Sequence, residues 1–194
     1  MTRWFYRFRG YLVMPLIIFA LFCFRWETEL DYLIWPLGVI LVFLGFVLRI
    51  WAQEHLHYRF KGRMSLTMTG PYSLIRNPLY VGNTLMCLGA TITSKLLWMA
   101  PITLFYCFSI YSLVVQYEEE HLLEKYGEPY QRYLSEIPRW FPRAVRFRNL
   151  GLINRYFLTS VVREIHCPLM LLPFAFKGFI WLWIHHLSSL NAHL

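Results

Sequence analysis

The chain has 194 residues and a formal charge of +8; 57% of it is hydrophobic, 19% aromatic and only 15% charged. A soluble domain has about a quarter of its positions charged, and one soluble core could not cover apolar runs of this length, so the expected solvent is lipid and the chain a single membrane domain, 1–194. The basic residues fall where a membrane topology needs them, so no nucleic-acid partner is expected.

A span needs about 20 mainly apolar residues to cross roughly 30 Å of hydrocarbon. On that measure the expected fold is an all-α integral membrane protein with about five transmembrane helices and a cytoplasmic cofactor-binding region at the membrane surface. The first span, Tyr11 to Phe24, follows Arg3, Arg7 and Arg9 with no small-residue cleavage site after it, so it reads as an uncleaved anchor. The second runs from Tyr32 to Ala52, which gives two spans within 1–52. The third and fourth, Leu79 to Thr93 and Leu96 to Tyr117, are separated only by Ser94 and Lys95 and predict a tight hairpin, 79–117, inside a catalytic core of 53–142. A surface segment and last span fill 143–194. Arg143, Arg146, Arg148, Arg155 and Arg163 among apolar residues suit an amphipathic surface helix or pair over 143–166. The fifth span, about Cys167 to Leu187, contains Pro168, Pro173 and Lys177 and is expected to kink; Lys177 receives no role. Cationic residues cluster before span one, after span two and after span four. The positive-inside rule therefore puts the amino terminus, 53–78 and 118–166 in the cytoplasm.

Two polar stretches on that face carry the candidate chemistry. In the first, Leu66 through Gly82, Gly70-Pro71 marks a turn and Pro78 is suited to open a helix, which sets Arg76 and Asn77 at its mouth, where free N–H groups and a positive dipole end attract a carboxylate. The blander reading has Arg76 snorkelling to headgroups and Asn77 capping the helix. In the second, Glu118 through Tyr133 followed by Pro138-Arg139, Glu118 lies near the bilayer boundary and calls for a facing cation. Gly127 can stop the helix and Pro129 start another, which aligns Tyr130 and Tyr133 on one face, able to pack on a cationic or planar ligand or to anchor at the interface. His55, His57 and His121 lack zinc-ligand spacing, and Cys23, Cys87, Cys107 and Cys167 show no C-x-x-C pattern. Neither a metal nor a disulfide is expected.

Taken together, Leu66-Thr67-Met68-Thr69-Gly70-Pro71-Tyr72, Arg76-Asn77-Pro78-Leu79-Tyr80-Val81-Gly82, Glu118-Glu119, Tyr126-Gly127, Tyr130, Tyr133 and Pro138-Arg139 resemble the motifs of the isoprenylcysteine carboxyl methyltransferase family in its short prokaryotic form. The resemblance covers about residues 45–142. It implies an S-adenosylmethionine-dependent methyltransferase that releases S-adenosylhomocysteine, with a lipophilic, prenylcysteine-like carboxylate substrate entering from the bilayer. Carried over by position, the cofactor residues are Met64, Ser65, Leu66, Thr67, Tyr72, Asn77, Pro78, Leu79, Tyr80, Tyr130 and Tyr133. Arg76, Glu118 and Glu119 are the catalytic candidates. Asn77 stands where the family has histidine, Tyr126 where it has phenylalanine, and Val114 where the eukaryotic enzymes have arginine. The alternatives weighed are methylation of a phospholipid amine or another small lipophilic acceptor, an NADPH-dependent membrane reductase, and a non-enzymatic protein that binds membrane lipids.

Overall fold

The computed structural model describes residues 6–8, 10–24, 31–56, 66–142, 151, 156–169, 172–177 and 183. The described elements are helical: α1 (Met14–Phe22), α2 (Asp31–Leu56), α3 (Pro78–Thr93), α4 (Ala100–Tyr126), α5 (Glu128–Glu136), α6 (Phe157–Glu164), α7 (His166–Leu169) and α8 (Leu172–Ala175), with 3-10 turns at Gly70–Ser73 and Leu97–Met99. Three stretches are long and apolar enough to cross a membrane: Tyr32–Leu56, Leu97–Tyr126 and Phe157–Phe174. The chain is an all-α membrane protein.

Along α2, Leu33, Leu37, Ile40, Leu44 and Val47 recur at helical spacing and are exposed, as are Phe105 and Phe108 on α4. Water would not tolerate such stripes and hydrocarbon does. The opposite face of α2 meets α3 through glycines. A Cβ on Gly45 would stand 2.6 Å from Gly82 O, and one on Gly38 would stand 2.8 Å from Gly89 O. The two antiparallel helices touch backbone to backbone at two levels, a close approach that small residues permit between membrane helices. Behind this seam, Tyr80 and Cys87 of α3 pack on Cys107, Tyr111, Val114 and Val115 of α4, with Val13 beside them.

Three expectations change. The stretch expected as span one is a nine-residue helix, α1, about 14 Å long, started by Pro15 and ending at Cys23. It is shorter than the hydrocarbon it was expected to cross. The third expected span, α3, has 16 residues, about 24 Å, and most of them are buried against its neighbours. The final apolar stretch begins at Phe157 rather than Cys167, so the second half of the expected surface segment belongs to a candidate span. Its charges concealed this in the sequence, yet Glu164 is buried and paired with Arg49, whose Nη2 lies 2.6 Å away and whose Nε lies 2.7 Å away. Residues 143–150 and 152–155 of that segment lie outside the described residues, as does most of 178–194.

Lys177, unassigned from sequence, is buried and donates to Cys23 O at 2.7 Å and Ser94 O at 2.8 Å. These carbonyls belong to the C-caps of α1 and α3. One ammonium thus meets the negative ends of two helices, which makes a buried lysine tolerable there.

Candidate functional site

The first polar stretch leaves α2 and returns at Leu66. Gly70 has φ +61, and a side chain at this position would collide with the His55 ring. Thr69 Oγ1 lies 2.9 Å from His55 Nδ1, and His55 Nε2 donates to Gly151 O at 2.8 Å, because a carbonyl can only accept. The turn Gly70–Ser73 is thereby held against the end of α2, with Tyr72 buried. Arg76 N donates to Pro138 O at 2.9 Å. Pro78 then opens α3 as expected.

Gly127, at φ +59, ends α4, and Pro129 in the first turn of α5 restarts the helix. This reversal swings Tyr130 and Tyr133 back over the first stretch. Their ring centroids are 5.9 Å apart, and Tyr133 Oη donates to Tyr72 O at 2.8 Å. Both rings are almost wholly buried, at 2% and 4% exposure, so no open aromatic face is presented to a ligand in this arrangement. Burial pushes both phenols well above the usual tyrosine range; Glu119 adds to this and Arg76 opposes it.

The charged centre lies beside this pair. Glu119 is paired with Arg139 through both guanidinium Nε, at 3.2 Å from Oε1, and Nη2, on Oε2, and Arg76 Nη1 lies 3.4 Å from the same Oε1. Two guanidiniums share the Glu119 carboxylate, with that of Glu118 also close to Tyr130, and Arg76 Nε is buried without a partner among the described residues. Tyr80 Oη donates to Glu118 Oε1 at 2.8 Å. Asn77 does not cap α3 with its side chain; its Nδ2 donates to Arg139 O at 3.3 Å instead. A recess of about 370 Å³ opens beside this centre, lined by Arg76, Leu134, Ser135, Ile137, Pro138, Arg139 and Trp140.

The fold thus brings Arg76, Asn77 and Tyr80 together with Glu118, Glu119, Tyr130 and Tyr133, from stretches some forty residues apart. Pro78 is buried and Leu79 half-buried at the start of α3, while Leu66 and Thr67 are half-buried in the irregular approach to the turn. Met64 and Ser65 lie outside the described residues. The tyrosines do not line the recess; the arginines do. Sequence reasoning placed Arg139 in a motif without giving it a partner. It missed His55 and the Arg49 side chain, which reaches both Asn83 and Glu164. Helical spacing on α2 puts Arg49 one turn after Gly45, facing the gap that Gly82 leaves, and this was the available clue.

Comparison with known proteins adds the family context. A profile of the phospholipid methyltransferase family matches residues 33–129, half of the chain. The chain is similar to a cobalt-zinc-cadmium resistance protein of Cupriavidus metallidurans, 33% identical over 126 residues, covering 64% of this chain and 56% of that protein. It is also similar to a nickel-cobalt-cadmium resistance protein of Alcaligenes xylosoxydans xylosoxydans, 30% identical over 128 residues, covering 64% of this chain and 58% of that protein. The match therefore spans little more than half the length of either relative. No solved structure matches the chain.

Proposed function

The chain belongs to the phospholipid methyltransferase family, and from that premise we propose that it is a membrane methyltransferase, moving a methyl group from S-adenosylmethionine to a lipophilic acceptor at the cytoplasmic surface of the bilayer. The observation that carries this reading is the convergence of the two motif stretches on Arg76, Glu119 and Arg139 beneath the Tyr130–Tyr133 pair. The donor supplies a methyl already activated on a sulfonium, so the chain's task is alignment and exclusion of water. Under this proposal Met64, Ser65, Leu66, Thr67, Tyr72, Asn77, Pro78, Leu79, Tyr80, Tyr130 and Tyr133 hold the cofactor. Engaging the sulfonium requires α5 to lift, because both rings are covered as the chain stands.

The unpartnered Arg76 Nε suits one carboxylate, held by a charge-assisted bond. This favours a prenylcysteine-like carboxylate as acceptor. Such an acceptor is ionised near neutral pH and needs no general base, so the absence of histidine at position 77 is no obstacle. The family description favours a second acceptor, a phospholipid amine. In that case Glu118, hydrogen-bonded to Tyr80, is the candidate base.

Calorimetric titration of the detergent-purified protein with S-adenosylmethionine and S-adenosylhomocysteine tests the donor. Both should bind, and Tyr130→Ala should weaken binding by about tenfold or more, the order expected on losing a desolvated cation–π contact of roughly 2 kcal/mol with its buried area. Failure of both ligands to bind would remove the proposal. Transfer of labelled methyl into prenylated thiol acids or into phosphatidylethanolamine then separates the two acceptors.

A further inference from the structure

Glu164, His166 and Cys167 meet where α6 breaks at Ile165 and α7 begins, with one donor atom from each within 4.8 Å of the other two. Cys167 Sγ lies 3.2 Å from Glu164 Oε2 and 3.5 Å from His166 Nε2. A tetrahedral ion with bonds of about 2.0–2.3 Å separates its ligand atoms by roughly 3.3–3.8 Å, so both spacings are close to the edge of such a site.

The surroundings point the same way. His166 Nδ1 is 2.9 Å from Arg163 O, a group that only accepts, so Nδ1 carries the hydrogen and Nε2 presents its lone pair beside Cys167. An imidazole that binds metal is commonly fixed by this kind of bond from its other nitrogen. Glu164 Oε2 receives Arg49 and the Cys167 thiol, which leaves Oε1 without a partner among the described residues. One turn earlier on the same face, Ser160 Oγ is fully buried and has no hydrogen-bond partner among the described residues. The charges also allow an ion: without one, Arg49 and Glu164 neutralise each other, and with one, a divalent charge meets two anions and a single guanidinium.

We propose that Glu164, His166 and Cys167 form a binding site for a divalent cation of the zinc class, with carboxylate, imidazole and thiolate as three ligands and a fourth position open. The thiolate and imidazole select zinc, cadmium or cobalt over magnesium and calcium. Binding replaces the Cys167 S–H bond by a sulfur–metal bond and releases the proton to water, with no change of oxidation state. His166 is exposed on the outer face of the candidate span Phe157–Phe174, while Glu164 and Cys167 are buried. The ion bridges the Ile165 break and ties both helices, through Glu164 and Arg49, to α2. The site stands apart from the methyl-transfer centre and does not depend on that reading.

The test is titration of the full-length, detergent-purified protein with Co²⁺, followed by its thiolate charge-transfer and d–d absorption, with Zn²⁺ as competitor. One equivalent should give a tetrahedral spectrum that Zn²⁺ abolishes. Cys167→Ser should lose the charge-transfer band, and His166→Ala should weaken binding by about tenfold or more. Absence of the band from the unaltered protein, or an unchanged band and affinity in either variant, overturns the site. His166 is on the surface, so its variant keeps the test informative should Cys167→Ser fold poorly; circular dichroism melting in metal-free detergent confirms that each variant is folded.

Discussion

Tyr133 joins the two motif stretches with one hydroxyl, donated to Tyr72 O, and its ring lies against Tyr130. Both phenols are held protonated beyond their ordinary range, by burial first and then by neighbouring negative groups. Because the fold favours the neutral ring, this contribution to stability is fully present below pH of about 10 and is lost as pH rises from there toward the raised folded values. In an alkaline titration followed by tyrosinate absorbance, exposed tyrosines should ionise first, and the Tyr130→Phe/Tyr133→Phe double variant should lack part of the late amplitude. An unchanged late phase would remove these two rings from it. At this scale the motifs were legible because each residue type sits at a fixed offset from a proline or glycine that shapes its own backbone. Arg49–Glu164 was not legible: the partners are 115 positions apart, and nothing local to either marks the other. Lys177 was illegible for the same reason, its carbonyl partners belonging to two distant helix ends.

Helix boundaries followed local chemistry wherever it was strong. Pro78 opens α3, Gly127 closes α4, and Pro129 lies in the first turn of α5. Lengths were read less well, because hydropathy records composition and not what covers a residue. The apolar stretch around α1 looks like a span yet forms nine helical residues, while Arg163 and Glu164 disguise a candidate span that neutralises one of these charges internally. That pair joins α6 to α2, with side chains only 15% and 3% exposed. Arg49→Ala should therefore destabilise the protein by about 3 kcal/mol or more, since it strands a buried carboxylate. Adding Glu164→Gln should recover part of that loss. Thermal melts in one detergent measure both, and a near-neutral Arg49→Ala would show that water or lipid headgroups already solvate Glu164.

For the whole molecule, a lipid environment followed from composition, and the exposed stripes on α2 and α4 agree with it. Convergence of the two polar stretches was foreseeable because a hairpin returns the chain to the face it left. The separation of the arginine-lined recess from the buried tyrosines was not, since it depends on the angle at which α5 folds back after Gly127. The uneven distribution of cationic residues sets a testable orientation. A cysteine introduced at exposed Gln131, in a background lacking the four native cysteines, should react with an impermeant maleimide only from the cytoplasmic side. One at Lys95 should react only from the other side, and the reverse pattern would invert the topology.

The glycine contacts between α2 and α3 bear on the path open to the acceptor proposed above. With Gly45 against Gly82 and Gly38 against Gly89, the two backbones leave no width for an acyl or prenyl chain. Sliding either helix along the other would drive side chains into that contact, so the pair behaves as a fixed wall. A lipophilic acceptor of the proposed kind is thereby kept from entering between α2 and α3.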